Sequence, residues 1–106
     1  MIKCLCIQIL LGRAPNFDRQ PLLTAMHAIE RFPEIDVDEG GAWIAFNLFT
    51  EDLASLWAEL EPALFESSAA SLLRAAGIIV SEGEYGWSED RLLFHHDPKE
   101  ALDGLA

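Results

Sequence analysis

Basic side chains are scarce in this chain. Seven lysines and arginines stand against eighteen aspartates and glutamates in 106 residues, a formal net charge of −11. Solubility of a small domain needs only about 2–8 net charges. The deficit excludes a basic patch of the kind that neutralises phosphates, so direct binding to DNA or RNA is not expected. A basic protein is the expected partner instead, because excess negative charge speeds encounter with a positive surface.

Cysteine is scarce too, with Cys4 and Cys6 as the pair. Two positions apart on a strand, their side chains share a face at roughly 6.5–7 Å. A disulfide across that spacing would be strained. Buried reduced thiols and a cytoplasmic setting are therefore expected. No apolar run approaches the ~18 residues of a membrane span. Lys3 and the run Cys4–Gly12 do not read as a secretory leader either, since the run is short, contains Gln8 and lacks a small-x-small cleavage pattern. A phosphate loop, a dinucleotide glycine fingerprint, a nucleophile elbow and a calcium loop are all missing. Gly83-x-x-Gly86 is too sparse to cradle a phosphate. No cofactor, metal or catalytic residue is assigned on these grounds.

Apolar residues make up 51% of the chain. That is an ordinary globular share, and the length suits one core, so residues 1–106 are read as a single α+β domain. Residues 2–11 alternate as a strand, with Leu5, Ile7 and Ile9 on one face and Cys4, Cys6, Gln8 and Leu10 on the other. Residues 18–32 carry a helical stripe of Leu22, Leu23, Met26 and Ile29. Asp18 or Asn16 stands at its start and Phe32-Pro33 at its stop.

Glu34–Glu39 and Ala42–Phe49 flank Gly40-Gly41, which predicts a hairpin with a two-residue turn. In that register Val37 faces Ile44 and Ile35 faces Phe46, an apolar set turned to the core. Thr50 is the expected cap of the next helix, with Glu51 and Asp52 in its first turn. Pro62 is expected to kink or interrupt the helix, so residues 50–76 read as two helical pieces. Ser67 or Ser68 caps the second piece and Gly77 ends it as a C-terminal glycine. Ile78–Val80 starts the last sheet region. Glu82–Trp87 and Arg91–His96 then read as a hairpin around Ser88-Glu89-Asp90, followed by a short helix or tail at 98–106.

The order β-α-β-β-α-β suggests a ferredoxin-like (split β-α-β) sheet with helices on one face and an extra C-terminal hairpin.

Two acidic and aromatic groups form the candidate partner-binding surface. One comprises Glu34, Asp36, Asp38, Glu39 and Trp43, with Trp43 cross-strand from Asp38. The other comprises Glu82, Glu84, Tyr85, Trp87, Glu89 and Asp90. Indole rings anchor interfaces, and a carboxylate rim selects basic partners. The expected function is an acidic protein-binding module, such as an inhibitor or immunity-type protein that neutralises a nuclease or other nucleic-acid-binding protein.

Two alternatives stand beside it. One is a small enzyme or ligand-binding domain with a pocket near His95, His96, Cys4 and Cys6. Adjacent histidines on a strand point to opposite faces, which works against their sharing a ligand unless the strand ends at His95. The other is a homo-oligomeric regulatory module, a homodimer in the simplest case, that covers its open sheet face by pairing.

Overall fold

Alternation of large apolar residues shapes Lys3–Leu10 into β1, the middle strand of the molecule. Leu5, Ile7 and Ile9 are fully buried while their neighbours are half-buried, the period-2 signature of a strand covered more heavily on one face. The computed structural model describes residues 2–83 and 86–103, of which 83 and 86–89 by their backbone alone. Among them, a 3-10 turn at Leu11–Arg13 leads toward α1 (Gln20–Ala28), β2 (Glu34–Val37), β3 (Trp43–Thr50), α2 (Leu53–Phe65), α3 (Ala70–Ala76), β4 (Gly77–Gly83) and β5 (Gly86–His95). The result is an α+β domain with one five-stranded antiparallel sheet in the order β2-β3-β1-β4-β5 and three α-helices.

The helices present Leu22 and Met26, then Leu56, Leu60 and Leu64, then Leu73 and Ala76, to Leu5, Ile7, Ile9, Ile44, Phe46, Leu48 and Ile79 of the sheet. Each fully buried aliphatic or aromatic side chain contributes roughly 1.5–3 kcal/mol. All three helices share this one core, so among the described residues the opposite face of the sheet has no helical layer.

The β2–β3 register is the expected one, with Ile35 opposite Phe46 and Val37 opposite Ile44. The turn is wider than expected. Gly41 N donates to Asp38 O at 3.0 Å, Ala42 N donates to Asp38 Oδ2 at 2.8 Å, and Gly41 alone of the two glycines takes a positive φ, 78°. The expected burial of Ile35 and Val37 does not occur: they are 36% and 55% exposed. The helices pack over β1 and β4 and leave edge strand β2 uncovered.

Other boundaries shift for local reasons. α1 ends at Ala28, before Phe32-Pro33, because Glu30 adopts a left-handed φ of 59° and closes the helix. Its N–H donates to His27 O, and that of Arg31 to Met26 O. The cap of α2 is Asp52, whose carboxylate accepts from Ser55 N at 3.1 Å, and not Thr50. Thr50 Oγ1 accepts instead from Asp52 N at 3.1 Å.

α2 runs through Pro62. The carbonyl that loses its donor belongs to Ala58, which is exposed to water, while Leu56, Leu60 and Leu64 hold the buried side in place. The helix break falls instead at 66–69, where Ser67 Oγ donates to Leu64 O and accepts from Ala69 N.

β4 is one strand from Gly77 to Gly83, and Gly83 pairs with Gly86. Ser88, Glu89 and Asp90 therefore lie inside β5, and not in the expected turn. Residues 98–103 form no helix. Asp103 returns along the outer edge of β5, donating its N–H to Leu92 O at 2.7 Å and accepting from Leu92 N at 2.8 Å. Among the described residues no helix is long and apolar enough to cross a membrane.

Candidate functional site

Strand parity builds the uncovered face in rows. Cys4 lies between Phe49 and Glu82. Cys6 lies between Asn47 and Val80, and beyond these come Glu34 on β2 and Leu92 on β5. Gln8 lies between Ala45 and Ile78, with Asp36 and His95 beyond. Leu10 stands opposite Trp43, whose carbonyl accepts from Asp38 N. The middle strands of the face thus carry thiols and apolar side chains together with Gln8 and Asn47, Glu82 stands beside Cys4, and Glu34 and Asp36 lie on the edge strand β2.

Glu34 and Asp36 are exposed along β2 at i, i+2 spacing, roughly 6.6–7 Å apart. Asn47 ties this margin to the centre: its Nδ2 donates to Asp36 Oδ2 at 3.3 Å, and its Oδ1 accepts a weak 3.8 Å contact from Cys4 Sγ. Trp43 is half-buried on the same face, and Phe49 is 51% exposed there. Asp38 is committed to the turn through Ala42 N, and Glu39 is exposed within that turn.

Of the second acidic and aromatic group, the side chains of Glu82 and Asp90 are described. Glu82 is exposed on β4 beside Cys4, and Asp90 is half-buried on β5, the far edge strand. The outermost strands of a five-stranded sheet stand roughly 19 Å apart. Glu84 and Tyr85 lie outside the described residues, as do the side chains of Trp87 and Glu89. Among the described residues, Glu34 and Asp36 on β2 are separated from Glu82 on β4 by the strands β3 and β1.

This face sets the chemistry of the thiols. Both cysteines are free. Burial, followed by the charges of Glu82, Cys6 and Glu34, pushes Cys4 from an ordinary 9.0 up to about 12. Burial, followed by Glu82 and Asp36, pushes Cys6 up to about 11. Such thiols stay protonated at neutral pH and make poor nucleophiles and poor metal ligands. Among the described residues no three His, Cys, Asp or Glu side chains are placed to hold a metal ion.

His95 and His96 come together in a different place. β5 ends at His95, which frees the next residue from strand parity, and the two rings stand 4.5 Å apart at 35°. His95 Nδ1 accepts from Asp97 N at 3.0 Å. Burial, with Arg13 and His95 nearby, holds the His96 imidazole below its ordinary pKa. Both rings line an open cavity of about 550 Å³ together with Arg74, Phe94 and Leu102. No cysteine lines it, so the expected joint site of His95, His96, Cys4 and Cys6 does not form. His27 is elsewhere, on α1, 5.0 Å from the Phe32 ring. Sequence reasoning missed Arg74 and Leu102, because nothing local links α3 to the C-terminal segment.

The chain matches no known family model, no curated protein and no solved structure.

Proposed function

We propose that this protein is a binding module whose uncovered sheet face receives a basic protein. The observation that carries the reading is the placement of Glu34 and Asp36 on edge strand β2 and of Glu82 on β4, with the largely apolar set Cys4, Cys6, Leu10, Trp43, Phe49 and Val80, interrupted by Gln8 and Asn47, on the same face. An apolar centre with a charged rim is the usual anatomy of a protein interface. With a net charge of −11 behind it, the face would draw in lysine- and arginine-rich surfaces and repel nucleic acid. An inhibitor or immunity-type protein that occupies the positive cleft of a nuclease or other nucleic-acid-binding protein fits this chemistry.

The strand order supports reading the sheet as a ferredoxin-like, split β-α-β arrangement extended by β5. Free thiols suit a reducing, cytoplasmic setting. Self-association through the same face is disfavoured. With acids on both β2 and β4, a two-fold pairing sets carboxylate against carboxylate.

The test is affinity capture from the native host, with association rates then measured against the captured basic protein. The triple variant E34Q/D36N/E82Q should associate at least about tenfold more slowly at low salt and lose most of the salt dependence. E51Q/E61Q/E66Q, with the same change in net charge elsewhere, should associate nearly as the parent does. Equal rates for both triple variants would overturn the assignment of the face. A rate indifferent to salt would overturn the electrostatic reading.

A further inference from the structure

We propose that the cavity between α3, the end of β5 and the C-terminal segment binds a small organic monoanion, a carboxylate carried on a flat apolar body. The site is independent of the sheet face. Its volume, about 550 Å³, lies in the range of small-molecule pockets.

Arg74 and His96 both line it. The Nδ1 atom of His96 is buried and has no hydrogen-bond partner among the described residues. The Arg74 guanidinium makes no ion pair or hydrogen bond among them either. It is held in place by stacking, 5.8 Å above the Phe65 ring, and Phe65 in turn packs against Phe94 at 4.8 Å between centroids. A buried unpartnered nitrogen in the wall of a cavity is a site where a small rotation of the ring would meet a ligand acceptor or donor. A guanidinium already positioned by an aromatic face presents its donor fork to a planar carboxylate at little cost in side-chain freedom.

The surroundings select the charge and the body of the ligand. Arg74 is the lining cation, with Arg13 close enough to influence His96. Asp97 and Glu100 also line the cavity and oppose a second negative charge. Asp97 is partly engaged, since its Oδ1 accepts from Lys99 N at 3.0 Å, but its charge remains. With two lining carboxylates against one guanidinium, a phosphate dianion is repelled more strongly than a monoanion, whose binding rests on the directed contact with Arg74. Phe94, Pro98 and Leu102 supply an apolar wall for a ring or short hydrocarbon body.

The experiment is an NMR titration of the full chain with benzoate, with benzamide as its uncharged near-isostere and inorganic phosphate as the competing anion. Benzoate should bind in the millimolar range or better and shift the ring resonances of His96 and Phe94. Benzamide and phosphate should each bind roughly tenfold more weakly or worse. R74Q should weaken benzoate by roughly tenfold or more, while R19Q, the same charge change at the start of α1, should leave it within about twofold. Three results would each overturn the proposal: no shift at His96 with benzoate up to about 10 mM, equal binding of benzamide, or equal loss in R74Q and R19Q. Phosphate binding more tightly than benzoate would overturn the carboxylate assignment.

Discussion

Gly77 lies so close to Leu73 that a Cβ built on the glycine would stand 2.8 Å from the Leu73 carbonyl oxygen and 3.0 Å from its Cα. The backbone there is extended, with φ −91° and ψ 147°, so glycine is not needed for a left-handed turn. It is needed because α3 passes into β4 with no room for a side chain. Both obstructing atoms are backbone and cannot move aside. Gly77→Ala should destabilise the fold by about 1–3 kcal/mol, read from urea denaturation. A loss within experimental error of zero would show that the helix–strand junction relaxes freely.

Glu30 shows the opposite case. Its φ of 59° places a residue that carries a Cβ where glycine is preferred, at the close of α1. Glu30→Gly should stabilise by roughly 1 kcal/mol, and Glu30→Ala should not. Paired melting curves of the two variants check this, and a gain in alanine alone would refute it.

Ser81 is 1% exposed and its hydroxyl has no hydrogen-bond partner among the described residues. It faces the core between Leu5 and Arg91 of the neighbouring strands. An unsatisfied buried hydroxyl costs about 1–3 kcal/mol of lost hydration. Ser81→Ala should therefore be neutral or stabilising in denaturant melts, where an exposed or bonded serine would show no gain.

Cys4 and Cys6, at about 12 and about 11, should react with a disulfide reagent at pH 7.5 roughly 100-fold more slowly than free cysteine, and at ordinary rates once unfolded in urea. The raised values also set a pH dependence. Below the ordinary 9.0 both folded and unfolded thiols are protonated and the contribution to stability is complete. Between that value and the folded ones the unfolded chain ionises first, so stability falls as pH rises. Melting temperatures across pH 8 to 11 for the parent and a C4A/C6A variant separate this effect from general alkaline loss.

Asp52 has the reverse sign. Hydrogen bonds from the Ser55 backbone and then its side chain hold the carboxyl below its ordinary pKa. Its contribution is present above the ordinary carboxylate range and is lost as pH falls through the lowered folded value. Asp52→Ala should lower the melting temperature at pH 7 by more than it does at pH 2.5, and by more than Thr50→Val does. Equal effects at the two pH values would remove the charged cap from the account.

Short-range patterns were legible where one element satisfied itself. The β2–β3 register followed from alternation alone, because a slip by one residue would set Asp36 and Asp38 against the core. The burial of Leu5, Ile7 and Ile9 and the stripes of α1 and α2 followed from periodicities of 2 and 3.6. The proline at 62 misled because its local cost depends on which carbonyl it orphans, and Ala58 proved to face water.

Composition and period thus determined the α+β class, the acidic charge and the two faces of each strand. Tertiary structure alone decided that Ile35 and Val37 stay exposed, that Glu34 and Asp36 share one face with Glu82 but have two strands between them and it, and that Arg74 and His96 line one cavity. These outcomes depend on which strands become neighbours and how far the helices reach over them. Burial is a property of the assembled layers, and no local run of residues encodes how far its covering extends.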